Sequence, residues 1–228
     1  MQQGADRWGA FYKTGAGNQY PDENLVRLIK GKYANVPTSG RALDIGFGRG
    51  ANLMMLAQSG FETFGLEVSQ ESIDAANHLG EHVGQNLQVG LLAGVELPYE
   101  DSFFDLVVSW NAIYYHGNRS LVAEAIEEIK RVLKPGGVLL MSVIHPNSII
   151  PGRLSGDMGD GAHRFDRPSS HDNRFGIDVF YDATSTGWRE LLCGFDQVEE
   201  GYAEADLFVP ERRAAWRLFC ARKGATRV

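Results

Sequence analysis

A glycine-rich turn that follows an acidic residue is the part of this sequence best suited to chemistry. Residues 42–50 read ALDIGFGRG, which is typical of a strand that ends in a tight turn, with Asp44 just before the first glycine. Glycines permit positive backbone dihedrals and lack Cβ atoms, so a ligand can lie against the main chain and a helix can begin close by. The pattern predicts a site for a nucleotide-like molecule.

A second carboxylate is predicted beside this turn. Residues 61–68 read FETFGLEV and favour a strand with Glu67 at its C-terminal end, 23 residues after Asp44. This spacing is typical of one βα unit that returns the chain to the same edge of a sheet. Because a carboxylate there can accept both hydroxyl protons of a ribose, Glu67 is a candidate ribose ligand.

Two cofactor classes fit the glycine turn. Gly46, Gly48 and Ala51 also match the loose dinucleotide fingerprint G-x-G-x-x-G/A of dehydrogenases. A nicotinamide-dependent oxidoreductase therefore stays open as an alternative, although the sequence lacks an obvious Tyr-x-x-x-Lys or other hydride-transfer arrangement. The turn by itself does not decide between a dinucleotide and another nucleotide-like ligand.

Alternating strands and helices predict one α/β domain with a doubly wound sheet. Apolar runs favour strands at residues 42–45, 61–68, 87–92, 105–109 and 138–144. Helices are expected after Pro21, over residues 52–59, from Ser69 to a stop at Gly80, and over about 120–133. In the last of these, apolar residues recur every three or four positions, which predicts one buried face.

Two further segments accompany the turn and the Glu67 strand. They are ELPYEDSFFDLVVSWNAIYY at residues 96–115 and EIKRVLKPGGVLLM at residues 128–141. In this order, the four segments together resemble the class I S-adenosylmethionine-dependent methyltransferases, in the group that acts mostly on small molecules. The resemblance covers residues 40–145 well and the rest of the chain weakly.

This resemblance implies a Rossmann-like methyltransferase fold with a seven-stranded, mostly parallel sheet and an antiparallel last strand. It adds a helix near residues 185–192 and a hairpin of residues 197–205 with 215–221. Residues 1–228 then form a single methyltransferase domain. The implied cofactor is S-adenosyl-L-methionine, and the implied activity is methyl transfer to an oxygen or nitrogen of a small-molecule acceptor.

The resemblance also assigns cofactor-binding residues. Asp44 is expected beneath the methionine moiety and Glu67 at the ribose, while Gly46, Phe47 and Gly48 pass under the cofactor. The adenine contact departs from the family pattern, because residues 92–95 read LAGV where many relatives carry an acidic residue followed by alanine. We therefore assign adenine to backbone groups of Ala93 and Gly94 and to apolar walls such as Val68 and Leu92, and we include Asn111 among the cofactor contacts.

A proton acceptor is needed only if the acceptor atom carries a proton when it attacks the methyl group. His145 follows the fifth predicted strand and His116 follows the fourth, so both are expected at the edge where the methyl group points. The ordinary pKa of histidine, near 6.5, suits a general base. For each histidine, a structural hydrogen bond in a loop is the competing interpretation. Asn111 and Tyr115 are candidate positioning donors.

Residues 145–182 form a connection that is too long for an ordinary turn and rich in Gly, Pro, Ser, Asp and His. Because it leaves the carboxyl end of the fifth strand, we interpret it as a lid over the acceptor. An N-terminal cap of about residues 1–35 is expected on the side opposite this lid, with aromatic residues at Trp8, Phe11, Tyr12 and Tyr20.

No metal site is predicted, since tight ligand spacing is missing among His145, His163, His171, Asp157, Asp160, Asp166 and Asp172.

Charge and composition limit the partners. A net charge of −7 and a pI near 5.4 argue against extensive phosphate contacts, so no nucleic-acid partner is expected. No apolar run approaches the ~18 residues of a membrane helix and no signal pattern is present, so a cytoplasmic protein without a membrane partner is expected. A macromolecular acceptor stays an alternative, and the oligomeric state is not indicated.

We interpret the C-terminal basic residues as solvated strand flanks: Arg212, Arg213, Arg217, Arg222, Lys223 and Arg227.

Overall fold

Nine strands form two sheets in the computed structural model, which describes residues 2–13, 17–31, 33–168, 174–205 and 213–225 and omits the side chains of residues 2–4. The strands are β1 (Gly40–Ile45), β2 (Phe61–Glu67), β3 (Leu87–Leu91), β4 (Phe104–Trp110), β5 (Leu133–Ile144), β6 (Ala162–Arg164), β7 (Asp178–Phe180), β8 (Gln197–Ala205) and β9 (Ala214–Arg222). Seven of them form the large sheet, in the order β3-β2-β1-β4-β5-β9-β8, and β6 pairs with β7.

The large sheet has the predicted direction of strands. β1 to β5 pair in parallel, whereas β9 runs antiparallel to both β5 and β8. The predicted fold class is therefore confirmed, including the antiparallel last strand. The order of strands reverses between β1 and β4, which places a ligand crevice outside their carboxyl ends.

Six helices accompany the strands in the described residues: α1 (Gln2–Lys13), α2 (Glu23–Lys30), α3 (Ala51–Gln58), α4 (Gln70–Val83), α5 (Arg119–Val132) and α6 (Ser185–Leu191). Polar N-caps begin several of them, since a side-chain oxygen can accept a free backbone N–H of the first turn. Asp22 caps α2, Ser69 caps α4, Asn118 caps α5 and Thr184 caps α6. None of these described helices is long and apolar enough to cross a membrane.

Two predicted boundaries are wrong. α4 does not stop at Gly80 but continues to Val83, and Gly84 ends it in the left-handed conformation with φ 67°. Gly80 instead lies buried in the helix, where an added Cβ would lie 2.8 Å from the carbonyl oxygen of Gln85. β5 begins at Leu133 rather than at Val138, because Leu133 already pairs with β4 before an irregular step in the register.

The segment after β5 is more ordered than the long loop that we expected. β6 and β7 form an antiparallel pair, and an isolated bridge joins Leu154 to Phe165. Phe165, Val179 and Phe180 are buried in the main hydrophobic core, which includes residues of β4 and β5. The segment is therefore a folded insertion. Residues 169–173 lie outside the described part, and with them two of the residues considered for a metal, His171 and Asp172.

The C-terminal basic residues are not simply solvated strand flanks. Arg217 is 8% exposed and pairs with Glu200, and Arg222 donates to the carbonyl oxygen of Gly136 at 2.7 Å. The Lys223 ammonium donates to carbonyl oxygens at the end of α5 and the start of β5, at 2.6–2.8 Å. These cations are held by partners within the protein, so the predicted interpretation is wrong for them. Arg212 and Arg227 lie outside the described residues.

Apolar packing on one face of the sheet includes a tight aromatic group. Phe104 is fully buried, and its ring centroid lies 4.8–5.3 Å from those of Tyr99, Phe103 and Phe64. Edge-to-face contacts of this kind add to the free energy gained by burying the rings. Phe103 is only half-buried and carries the Arg41 guanidinium over its ring at 4.2 Å.

We expect Phe104→Ala to lower the free energy of unfolding by about 3–5 kcal/mol, because it leaves a cavity inside the closed core. Phe103→Ala is the matched control, and its cost is expected to be clearly smaller since solvent can fill the space. Urea denaturation of both variants measures the difference. Equal losses would show that the core does not close around Phe104.

Candidate functional site

A cavity of about 390 Å³ lies at the carboxyl ends of β1, β2 and β4, where the order of strands reverses. Five of the predicted site residues line it: Gly46, Glu67, Val68, Asn111 and His116. α1 and the insertion between β5 and α6 contribute the remaining walls. The topology thus joins residues that lie far apart in the sequence.

Asp44 is buried in β1 and is not among the residues that line the cavity. The side chain is 1% exposed, and its Oδ2 atom has no hydrogen-bond partner among the described residues. Burial and the nearby negative charge of Glu67 raise the pKa of Asp44 well above its usual range. Because a buried carboxylate without a partner is unfavourable, this oxygen is suited to a cationic ligand.

The glycine turn brings main chain rather than side chains to the cavity. Gly46 and Gly48 have φ values of 73° and 61°, which other residues rarely adopt. A Cβ on Gly46 would lie 2.5 Å from the Cβ of Ala112, so no larger residue fits there. The Phe47 side chain turns into the core beside Gly65 and leaves only its backbone near the turn.

Glu67 closes the turn from the end of β2. Its carboxylate, which is 5% exposed, accepts hydrogen bonds from the backbone N–H of Gly48 at 3.2 Å and of Val68, and from the Tyr12 hydroxyl. Burial nevertheless raises the pKa of Glu67. The pKa of Tyr12 is raised as well, first by burial and then by the negative charge of Glu67. The Tyr12 hydroxyl is therefore hydrogen-bonded to the carboxylate that we assign to the ribose.

α1 is fastened over the cavity by several contacts. The Lys13 ammonium lies 2.8 Å from Glu71 on α4, and Arg49 donates to the carbonyl oxygen of Tyr12 at 3.1 Å. Trp8 stacks on Tyr12 and meets the ring of Tyr115 edge-on, with centroids 5.9 and 5.3 Å apart. The contact between Tyr12 and Glu67 was not predicted, and the aromatic residues of α1 were its only signal.

Tyr20 has no part in this closure, because its side chain is 81% exposed. The predicted aromatic cap is therefore wrong for Tyr20. Phe11, in contrast, lies on α1 with its ring centroid 5.8 Å from that of Trp8.

Asn111 is held by a two-bond ring with Ser142 on the neighbouring strand. The Asn111 backbone N–H donates to Ser142 Oγ at 2.8 Å, and the Ser142 hydroxyl donates to Asn111 Oδ1 at 2.8 Å. These two bonds direct the amide oxygen to Ser142 and leave the amide NH₂ for the cavity. Asn111 also has φ 56°, an unfavourable backbone for a residue other than glycine that is often found at functional sites. Sequence reasoning missed Ser142, which only the pairing of β4 with β5 reveals.

The two candidate bases lie in different places. His116 lines the cavity, and burial lowers its pKa to about 4, so the ring is neutral at pH 7. His145 does not line it, since its ring packs on Tyr202 at 4.5 Å and its Nδ1 atom accepts the N–H of Asn147 at 3.1 Å. The structure therefore does not bring His145 to the site.

Other predicted contacts are only partly brought together. Val68 and Leu92 line the cavity, whereas Ala93 and Gly94 do not. The described residues contain no group of three or more side chains placed to bind a metal. Two aspartates of the insertion have structural roles, because Asp160 accepts from Ser120 and Asp157 from the N–H of Gly159.

Residues 43–141 match the family model of a methyltransferase domain. Sarcosine/dimethylglycine N-methyltransferase from Aphanothece halophytica is 31% identical over 127 residues, which cover 51% of this chain and 45% of that protein. The tRNA (carboxymethyluridine(34)-5-O)-methyltransferase of Arabidopsis thaliana is 31% identical over 110 residues, covering 48% and 25%. This chain thus spans about half or less of the length of these curated relatives.

The fold has solved counterparts. The crystal structure of a SAM-dependent methyltransferase from Methanosarcina mazei superimposes with a TM-score of 0.70 and covers 90% of this chain and 99% of its own. Its sequence is 18% identical, so the likeness concerns the fold. Together with the family match, it confirms the resemblance that the four sequence segments indicated.

Tyr12→Phe is expected to increase the affinity for S-adenosylhomocysteine about 3- to 10-fold, because it removes a hydroxyl that competes for Glu67. Calorimetric titration measures the change. Tyr20→Phe is the matched control, since Tyr20 is exposed and outside the cavity, and its affinity should equal that of the parent. An unchanged or weaker affinity in Tyr12→Phe would mean that Tyr12 does not compete with the ligand.

Ser142→Ala is expected to weaken the binding of S-adenosylhomocysteine about 3- to 10-fold by releasing the Asn111 amide. Asn111→Gly, which tolerates the positive φ, should have a similar effect, and the double variant should lose no more than either single one. Ser109→Ala is the control, because the buried Ser109 hydroxyl has no described partner. Additive losses in the double variant would contradict the ring.

Proposed function

Because residues 43–141 belong to the class I S-adenosylmethionine-dependent methyltransferases, we propose that this chain transfers a methyl group to an oxygen or nitrogen of a small-molecule acceptor. The observation that carries the proposal is the pair of buried carboxylates at the glycine turn. Asp44 has an oxygen without a partner, and Glu67 stands at the next strand end. S-adenosylmethionine offers cationic groups to the first and ribose hydroxyls to the second.

The residues of the chain bind and orient the cofactor. Gly46 and Gly48 let it approach the backbone, and Val68 and Leu92 form apolar walls. The bound cofactor supplies a methyl group that its sulfonium already activates. The protein therefore mainly has to align the acceptor and exclude water.

Two segments outside the glycine-turn region cover the reaction. Trp8 and Tyr12 of α1 line one side of the cavity, and Ala162, Ile177 and Asp178 of the insertion line the other. We assign α1 to the N-terminal cap and the insertion to the acceptor lid. Both keep water from the methyl group when they are closed.

Proton transfer has a restricted role in this proposal. His116 is the candidate base that lines the cavity, and its lowered pKa makes it a weak proton acceptor at pH 7. A site with such a weak proton acceptor suits a nucleophile that carries no proton to be removed when it attacks the methyl group. Asn111 and Tyr115 orient such an acceptor through hydrogen bonds. His145 has no part in the reaction that we propose.

A small acceptor is favoured over a macromolecule by the shape and charge of the site. The cavity lies beneath α1 and the insertion, and Arg217, Arg222 and Lys223 are engaged inside the protein rather than displayed for phosphates. The Arabidopsis tRNA methyltransferase, of which this chain covers 25%, keeps a nucleic-acid acceptor as the alternative.

Calorimetric titration with S-adenosylhomocysteine and with NAD tests the cofactor assignment. We expect S-adenosylhomocysteine alone to bind, and Glu67→Ala to weaken that binding by about 1.5–3 kcal/mol, the range for hydrogen bonds to a charged group. Glu62→Ala is the matched control, since Glu62 is an exposed carboxylate on the same strand that pairs with Arg41. Binding of NAD, or full affinity in a folded Glu67→Ala variant, would contradict the proposal.

A further inference from the structure

An arginine of α1 lines the cavity beside the insertion. Arg7 of α1 lines the wall, and its guanidinium nitrogens would lie 3.1 and 3.2 Å from a Cβ on Gly176 of the insertion. No carboxylate pairs with Arg7 among the residues that the structure describes. Its charge is therefore available to a ligand in the cavity.

A second guanidinium borders the same end. Arg174 donates to the Tyr115 hydroxyl at 3.5 Å, and its guanidinium lies 4.6 Å from the ring centroid of Phe165. Tyr115 lines the cavity and contacts Trp8, the neighbour of Arg7 on α1. Arg7, Trp8 and Tyr115 therefore line one cavity, and Arg174 contacts the hydroxyl of Tyr115.

The described carboxylate that lines this part of the cavity is paired. Asp178 lines the cavity, but its two carboxylate oxygens accept from Arg164 at 2.6 and 2.8 Å. Asp44 and Glu67 lie at the glycine-turn end, where the proposed function assigns them to the cofactor. Among the described residues that line the cavity beside the insertion, Arg7 is thus the charged side chain that no carboxylate pairs with.

We propose that the methyl acceptor is a small acid whose anionic group, of the carboxylate type, binds to Arg7. A guanidinium binds a carboxylate through two parallel charge-assisted hydrogen bonds, which fix orientation as well as position. The apolar body of the acid lies against Trp8 and Tyr115, and its hydroxyl or amine points towards the glycine turn. This inference rests on the proposed function and adds the chemical class of the acceptor.

The same chemistry has a second source, because S-adenosylmethionine carries a carboxylate of its own. The test therefore measures the two ligands separately in the full chain. Calorimetry with S-adenosylhomocysteine reports the cofactor. With that compound bound, two matched pairs report the acceptor end: 4-hydroxybenzoate and 4-hydroxybenzamide, and anthranilate and anthranilamide.

In the parent protein we expect the acid of at least one pair to bind 10-fold or more tightly than its amide. Arg7→Gln should abolish this preference and leave the affinity for S-adenosylhomocysteine within twofold of the parent. Arg7→Lys should keep part of the preference, because it retains the charge but not the planar fork. Arg27→Gln is the control, since Arg27 is an exposed arginine on α2 that pairs with Glu23.

Three results would overturn the inference. The acids bind no better than the amides, or Arg7→Gln keeps the preference, or Arg7→Gln weakens S-adenosylhomocysteine as much as it weakens the acid. The last result would assign Arg7 to the carboxylate of the cofactor. A parent protein that does not bind S-adenosylhomocysteine contradicts the proposed function itself and is distinguished by the first titration.

Discussion

Two carboxylates buried on neighbouring strands are the constraint on which the rest of this structure depends. Asp44 and Glu67 lie on β1 and β2, and burial raises the pKa of both. A carboxyl group with a raised pKa binds its proton more tightly in the folded chain than in the unfolded one. Its ionisation therefore lowers the stability of the fold as the pH rises above the ordinary range of carboxyl groups. The apolar core offsets this cost.

The fold treats the two charges differently, and that difference defines the site. Glu67 receives backbone N–H groups of the glycine turn and the hydroxyl of Tyr12, whereas Asp44 keeps an oxygen without a described partner. α1 thus supplies Glu67 with a hydrogen bond from the hydroxyl of Tyr12. Asp44, which is 1% exposed, receives no such contact on its Oδ2 atom, and the proposed function assigns it to the cofactor.

Opposite ends of the cavity are built by different parts of the chain. The acidic end belongs to residues 43–141, the region that matches the methyltransferase family, while Arg7, Arg174 and Asp178 lie outside it. Relatives that share the matched region have names that refer to different acceptors. For this chain, the proposed function assigns the strands of the matched region to the cofactor, and the helix and insertion outside that region to the acceptor.

The sequence by itself determined β1 to β4, most of β5 and the two carboxylates, since periodicity, glycines and spacing are local signals. The hairpin of β8 with β9 was expected only from the family resemblance. The sequence did not determine the end of α4 at Gly84, the folding of residues 145–182 around β6 and β7, or the distance of His145 from the cavity. These depend on packing between elements that lie far apart in the chain. The contact of Tyr12 with Glu67 and the ring of Ser142 with Asn111 have the same origin. A hydrogen bond across 31 or 55 positions leaves no pattern in the sequence, and only the register of β4 against β5 and the docking of α1 decided it.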